Sequence, residues 1–530
     1  MKKSIIWKSR ITICSLFVMH AFAFAVNDHV QDLPAMGWNS WNYYACNINE
    51  STILAAANAI HKKSTTANWE GLYVSMQDVG YKFVNLDDCW EGSRTNGILQ
   101  YSSTLFPHGF VWLCDSIRRM GLIPGLYTSA GTATCQGRPA QFGYDTADAL
   151  QYARWGFQYL KEDWCNVPSN FTNRDGAIQL YARSYKALRY AAETAFKEGR
   201  YPGATAPKYF TFSLCNWGSY SSWTYSAPLG HSARMSGDIS GSWGSVVGII
   251  DQCINNNVVT YNQAGFFNDP DMLEVGNGGM TTSENQAHFD LWCQMQSPLL
   301  TGNNIAGMNT TIFNILTNRE VIAINQDSLN WGGRRVKNGT PEIWYKRCFT
   351  RALGMTGSVV TDSTRMKKSI ILFNRGTGSV NYSILRSDPL ELGTGSFQVR
   401  DLWQHKIIDT LEAAMTSLPA IAVAGHGTTH LLFTPLSITS LANSMVADTR
   451  YLSSVGLING RRSAQGLEIY LPICGIVTLL DPQGSKIATI SADGNKKWYL
   501  VQSNCRTSEA LIAKINSQGR ILAQTIVVSK

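Results

Sequence analysis

The sequence predicts an α/β chain: a (β/α)8 TIM barrel, then an antiparallel β-sandwich domain, then a further small C-terminal β domain. Three observations carry this. Apolar, strand-like runs alternate with amphipathic, helix-like stretches from about residue 34 to 325, eight times over. Acids stand at or just past the C-terminal ends of several of these runs. After about 330 the pattern changes to short alternating strands with Gly, Asn and Asp turns and little helix.

The elements follow in chain order. Residues 1–25 read as a cleavable signal peptide. Lys2, Lys3, Lys8 and Arg10 precede an apolar run that ends in Ala23-Phe24-Ala25, a small-x-small pattern. The run is short for a membrane span, and nothing later in the chain has the length and apolarity for one. Export, to an extracellular or periplasmic space, is the expectation. Residues 26–330 hold the barrel. Its candidate strands are 35–39, 82–88, 122–128, 158–163, 209–215, 232–237, 263–268 and 297–302, with helices such as 146–156, 174–197 and 284–296 between them. An open doubly wound sheet is the alternative. The barrel is preferred because Asp87 and Asp88 end the second strand, Asp163 the fourth, Asp238 follows the sixth and Asp269 the seventh, and TIM-barrel sites are built on that face from several strands. Residues 331–435 read as the antiparallel sandwich and 436–530 as the accessory β domain, where Cys474 and Cys505 are placed to staple it.

Composition narrows the function. Hydrophobic content of 44% with 15% charged residues fits a globular protein. Loss of the four cationic residues before Ala25 takes the formal net charge from +8 to +4, too little to argue for nucleic acid. Eleven of the 12 cysteines lie after residue 25, so in an exported protein some pair and at least one stays free. No C-x-x-C spacing occurs, which argues against a structural zinc site. His231, His426 and His430 lack metal-ligand spacing and read as structural.

Burying an unpaired carboxylate costs several kcal/mol, so acids at strand ends need partners or a task. Sugar cleavage needs a carboxyl group on each side of the scissile bond. Asp163 and Asp238 are the candidate pair. Asp87 and Asp88 form a candidate shelf for sugar hydroxyls, since carboxylates accept strong hydrogen bonds. Being adjacent, the two reach one ligand only if the strand ends there and turns. Lys161 and Asp163 share one side of their strand, so Lys161 is expected to lower the pKa of Asp163. Competing readings are a helix cap for Asp238 and calcium ligation for the shelf. Asp269 and Asp271 in N-D-P-D read as supporting or loop-forming residues, since Asp before Pro is held extended.

Eight segments, in order, carry a family resemblance: M-G-W-N-S-W at 36–41, N-L-D-D-C-W at 85–90, G-L-Y-T-S-A-G at 125–131, T-C-Q-G at 134–137, Y-L-K-E-D-W-C at 159–165, S-L-C-N-W-G at 213–218, R-M-S-G-D-I at 234–239 and N-D-P-D-M-L-E-V-G-N-G-G at 268–279. The chain resembles glycoside hydrolase family 27, the α-galactosidases of clan D. The resemblance implies retaining hydrolysis of a terminal α-D-galactosyl bond of an oligosaccharide or a decorated polysaccharide, with no cofactor. By position it implies Asp163 as nucleophile and Asp238 as acid/base, with Asp87 and Asp88 binding the outer hydroxyls. Lys161 and Arg234 match the cations beside the two acids. Trp38 and Tyr127 match pocket walls, and Cys46 with Cys89 and Cys135 with Cys165 match two disulfides. Cys215, Asn216 and Trp217 fall in the segment that bears on specificity. Asn216 and Trp217 are not small, which favours galactose over N-acetylgalactosamine. Glu162 departs from the family's usual apolar or aromatic residue.

Two relatives of the same chemistry stay open, a β-L-arabinopyranosidase and an α-N-acetylgalactosaminidase. A non-catalytic sugar-binding protein is the reading from another class; the intact Asp163, Asp238, Lys161 and Arg234 argue against it.

Overall fold

The computed structural model describes residues 30–350 and 362–436 in full, and seven strands between 459 and 529 by their backbone. The signal segment and Cys505 lie outside the described residues.

Eight parallel strands form the barrel: β1 (Met36–Asn39), β2 (Phe83–Asn85), β3 (Ile123–Ser129), β4 (Tyr159–Asp163), β5 (Thr211–Cys215), β6 (Ser232–Arg234), β7 (Phe267–Asp269) and β8 (Leu299–Thr301). They pair in sequence order, and β8 returns to β1 with Met36 opposite Leu299. The remaining seam is closed beyond β7. There Leu273 bridges Thr301, donating to the Leu300 carbonyl at 2.8 Å and accepting from Gly302 at 3.0 Å. Covered on both faces, these strands are buried almost throughout, as parallel strands must be.

Every expected barrel strand is present. The seventh starts late, because Gln263 and Phe266 pair across a tight turn. One element was not foreseen. Glu91–Thr95 and Ile98–Tyr101 form a hairpin around Asn96-Gly97, both at positive φ. An Asn-Gly pair between apolar runs is the sequence signal for such a turn.

The helices are set by their caps and stripes. Arg174–Lys197 starts where Asn173 accepts from the Gly176 N–H, and it buries Ala177, Leu180, Tyr181, Ser184, Ala187 and Leu188 at three- and four-residue spacing. Thr282–Met295 starts with a reciprocal capping box between Thr281 and Glu284.

The next domain is an antiparallel six-stranded sheet (Arg334–Lys337, Glu342–Cys348, Lys367–Asn374, Gly427–Pro435, Phe397–Asp401 and Lys406–Leu411, in spatial order) with a two-stranded companion, Val380–Tyr382 and Ile421–Val423. Its strands are apolar on both faces for a reason. Ile343, Tyr345, Ile370, Leu372, Leu431 and Phe433 pack into the domain's own core, whereas Trp344, Ile371 and Phe373 join the barrel's core. Alternation along each strand thus serves two cores. The junction is also polar. Asp290 of the barrel accepts from the Trp403 indole and from Thr428, and pairs with His430 at 2.8 Å. The last seven strands form one further sheet, mostly antiparallel, with one parallel pairing that sets Gly460 opposite Val528.

Candidate active site

A cleft of about 470 Å³ opens at the C-terminal ends of the barrel strands, lined among others by Asp87, Asp88, Tyr127, Lys161, Asp163, Trp217, Arg234 and Asp238. Register explains the grouping. Tyr127 lies opposite Lys161, and Ser129 opposite Asp163, so the side chains of neighbouring strands rise in layers towards one mouth.

Asp163 ends β4 and is 5% exposed. Its Oδ1 accepts from the Trp164 N–H at 2.8 Å, and its Oδ2 lies 4.0 Å from Lys161 Nζ. Burial pushes the carboxyl up to about 6, against the opposing pull of Lys161 and the Trp164 N–H. This corrects the expectation of a lowered value. Lys161 acts in the foreseen direction, but desolvation is larger. Burial also disfavours the charge of Lys161, yet Asp87 and Asp163 outweigh it and hold the ammonium well above the ordinary lysine value.

The shelf is made by a turn. β2 stops at Asn85, and Cys89 has φ 80° where its disulfide to Cys46 ties the loop to the segment after β1. Both carboxylates therefore face the cleft. Asp87 accepts from Asn39 Nδ2 at 2.7 Å and Lys161 Nζ at 2.9 Å. Asp88 accepts from Thr134 Oγ1 at 2.9 Å and the Gln136 N–H at 3.0 Å, and burial raises its pKa. Cys135 and Cys165 form the second disulfide. Their sulfurs lie within 4.8 Å of an Asp163 oxygen, but being bonded to each other they are not metal ligands. Tyr127 Oη donates to Cys135 Sγ at 3.2 Å, which steadies the ring beneath Lys161.

Across the cleft, Asp238 is mostly exposed and accepts from Arg234 Nη2 at 2.9 Å. It does not cap the helix Trp243–Asn255, whose cap is Ser242. The same Arg234 nitrogen lies 2.8 Å from Asp271, a buried carboxylate that also accepts from the Ile239 N–H. Asp271, expected as a supporting loop residue, instead lines the cleft. Its φ of 86° turns the chain inward after β7, a bend that sequence pattern does not announce. Asp269 stays beneath the surface of the cleft, accepting from the Asp271 N–H at 2.9 Å.

Other expected wall residues are placed differently. Trp38 is fully buried outside the wall, its indole donating to the Asn303 carbonyl at 2.9 Å and its ring packing against Tyr44. In its place Trp41, three residues on and after the strand has ended, lines the cleft together with Trp217. Cys215 is a buried free thiol inside the barrel, level with Asp163, and accepts weakly from Arg234. Asn216 turns inward, donating to Tyr225 Oη at 2.7 Å and the Ser219 carbonyl at 3.2 Å. Trp217, at φ 56°, stays in the wall. Residues that sequence reasoning passed over are Trp41 and Asn42, in the short helix Trp41–Tyr44, and Gln136, Ser240, Met272 and Glu274, from loops beyond strand ends.

Glu162 points the other way, into the helix layer. There it accepts from Gln141 Nε2 at 3.0 Å and Ser184 Oγ at 2.7 Å. The three histidines have partners. His231 accepts from the Phe212 N–H, His426 meets Glu284, and His430 meets Asp290.

Residues 33–327 match the family described as Alpha galactosidase A. A probable alpha-galactosidase of Dictyostelium discoideum is 35% identical over 406 residues, which cover 76% of this chain and 92% of that one. Alpha-galactosidase 2 of Arabidopsis thaliana is 35% identical over 392 residues, 73% of this chain and 86% of that one. The crystal structure of alpha-galactosidase I from Mortierella vinacea superposes with a TM-score of 0.65 at 30% identity, covering 77% of this chain and 98% of the other.

Proposed function

Since this chain belongs to the α-galactosidases of glycoside hydrolase family 27, we propose that it removes terminal α-D-galactosyl residues from oligosaccharides or decorated polysaccharides by double displacement. The observation that carries this is the pairing of Asp163 and Asp238 in one cleft, the first near Lys161 and the second bonded to Arg234. Export by residues 1–25 belongs to the same proposal. Among the described residues no helix is long and apolar enough to cross a membrane.

In the first step Asp163 Oδ2 attacks the anomeric carbon. Oδ1 is already engaged by the Trp164 N–H, so one oxygen is held while the other reacts. The glycosidic C–O bond breaks as Asp238 gives its proton to the leaving oxygen. In the second step Asp238 takes a proton from water, the hydroxyl attacks the same carbon, and Asp163 leaves. Two inversions retain configuration. Asp87 and Asp88 grip the outer hydroxyls, and Lys161 stabilises the carboxylate before attack.

The test is turnover of p-nitrophenyl α-galactoside, α-N-acetylgalactosaminide, β-L-arabinopyranoside and α-glucoside by the purified protein and by Asp163→Asn. Turnover of the α-galactoside, lost in the mutant, and rescue of Asp163→Gly by azide are expected. Normal turnover by Asp163→Asn would rule out the assigned nucleophile. Preference for another glycoside would keep the mechanism and change the substrate.

A further inference from the structure

Asp271 lines the cleft, yet the double displacement gives it no task. Its partner is Arg234, whose Nη2 atom carries two hydrogens. Three oxygens stand around that nitrogen: Asp271 Oδ2 at 2.8 Å, Asp238 Oδ1 at 2.9 Å and the Ser236 carbonyl at 3.1 Å. Two hydrogens cannot serve three acceptors fully, so the acceptors compete.

The competition is unequal. The Asp271 side chain is 4% exposed and that of Asp238 72%. Asp271 is also pinned. Its Oδ1 accepts from the Met272 N–H at 2.8 Å and its Oδ2 from the Ile239 N–H at 2.9 Å. Its own N–H donates to Asp269 Oδ1, and its carbonyl accepts from the Trp292 indole at 2.8 Å. Asp238 stands in water, where the attraction of an ion pair is weak. Burial disfavours the charge of Arg234, but its neighbours hold the guanidinium above the ordinary arginine value. Asp271 is foremost among them, then Cys215 and Asp269, with Asp238 last. Ile239 directly follows Asp238, so Asp271 holds both the cation and the chain beside the acid/base.

A group that gives up a proton must first hold it. A guanidinium paired with Asp238 alone would favour the ionised carboxylate. We propose that Asp271 is a positioning residue for proton transfer: by occupying Arg234 and the Ile239 N–H, it leaves Asp238 free to carry the proton to the leaving oxygen. The inference rests on the assignment of Asp238 made above.

The experiment measures kcat/KM on phenyl, p-nitrophenyl and 2,4-dinitrophenyl α-galactosides, whose phenolates leave with progressively less need of a proton. General acid catalysis contributes about a hundredfold or more. Asp271→Asn is expected to lower the ratio of phenyl to dinitrophenyl turnover by at least about tenfold. A merely structural residue would lower all three rates together, and that outcome overturns the proposal. Arg234→Met combined with Asp271→Asn removes both buried charges at once, which strands neither. With no guanidinium left to capture Asp238, this double variant is expected to keep the ratio close to the wild-type value even where its rates are low. A ratio that falls in the double variant overturns the proposal, whether or not the single variant folds. Asp238→Ala is the control. If it shows no dependence on the leaving group, the assignment of Asp238 fails and the proposal with it, a result distinct from a failure confined to the Asp271 variants.

Discussion

The Lys161 ammonium lies closer to Asp87 than to Asp163, 2.9 Å against 4.0 Å. One buried cation therefore serves both the sugar-binding shelf and the carboxylate assigned as nucleophile. Removing it should affect binding and ionisation together.

The pH profile tests that coupling. Asp163 must be ionised to attack, and burial pushes its pKa up to about 6. Activity should therefore fall as pH drops through that value, and the acid limb of kcat/KM reports it in the free enzyme. Lys161→Met removes the largest charge interaction that favours the carboxylate. The limb should move to higher pH while kcat/KM falls. A limb that stays in place would mean that Asp163 does not govern it. Because neighbouring carboxyls titrate with it, the limb belongs to the coupled set.

Arg234 lies between two unequal acids. Asp271 is buried, and Asp238 is mostly exposed. Asp271→Ala leaves a buried guanidinium without its buried counter-charge and should destabilise the protein by about 3 kcal/mol or more. Asp238→Ala should abolish most turnover while changing stability by about 0.5 kcal/mol or less, as exposed positions do. Thermal unfolding of both variants, alongside kcat, checks this. Equal destabilisation by the two would show that burial does not separate their roles.

The junction between barrel and sandwich makes a third test. Asp290 accepts from Trp403, Thr428 and His430, all on the β domain. Asp290→Ala strands three donors, on buried Thr428 and His430 and half-buried Trp403, each worth about 1 kcal/mol or more when left unpaired. A loss of at least about 3 kcal/mol is expected from denaturant unfolding. A loss below about 1 kcal/mol would mean that the apolar contacts alone hold the junction.

What could be read in advance follows from where chemistry sits on the chain. Asp163 and Lys161 lie within a regular strand, where alternation fixes their side, and the barrel's period placed the acids at one end. Asp87 and Asp88 were legible because adjacent acids at a strand end demand a turn. Asp271 was not, since its inward course depends on a positive φ after a three-residue strand. Trp38 and Trp41 sit either side of the end of β1. Strand alternation cannot say which tryptophan meets the cleft once the chain has left the strand. Trp41, Ser240 and Glu274 come from the short helix Trp41–Tyr44 and two separate loops, and only tertiary packing brings those together.

Glu162 gives the last prediction. It is fully buried behind β4, and burial pushes its carboxyl up to about 8, with Ser184 opposing. The folded state therefore holds a proton that the unfolded chain releases near pH 4.5. Between roughly pH 4.5 and 8 the native form binds more protons than the unfolded one, so stability falls as pH rises through this window. The slope from one such group is roughly 1 kcal/mol per pH unit. Glu162→Gln keeps the neutral shape and removes the titration. Unfolding midpoints across pH 5 to 8 should slope more steeply for the wild type than for this variant. Asp163 and Asp269, each pushed up to about 6 by burial, add to the lower part of the wild-type slope and remain in the mutant. The difference between the two curves isolates Glu162. Parallel curves would mean that Glu162 ionises as readily when folded as when unfolded.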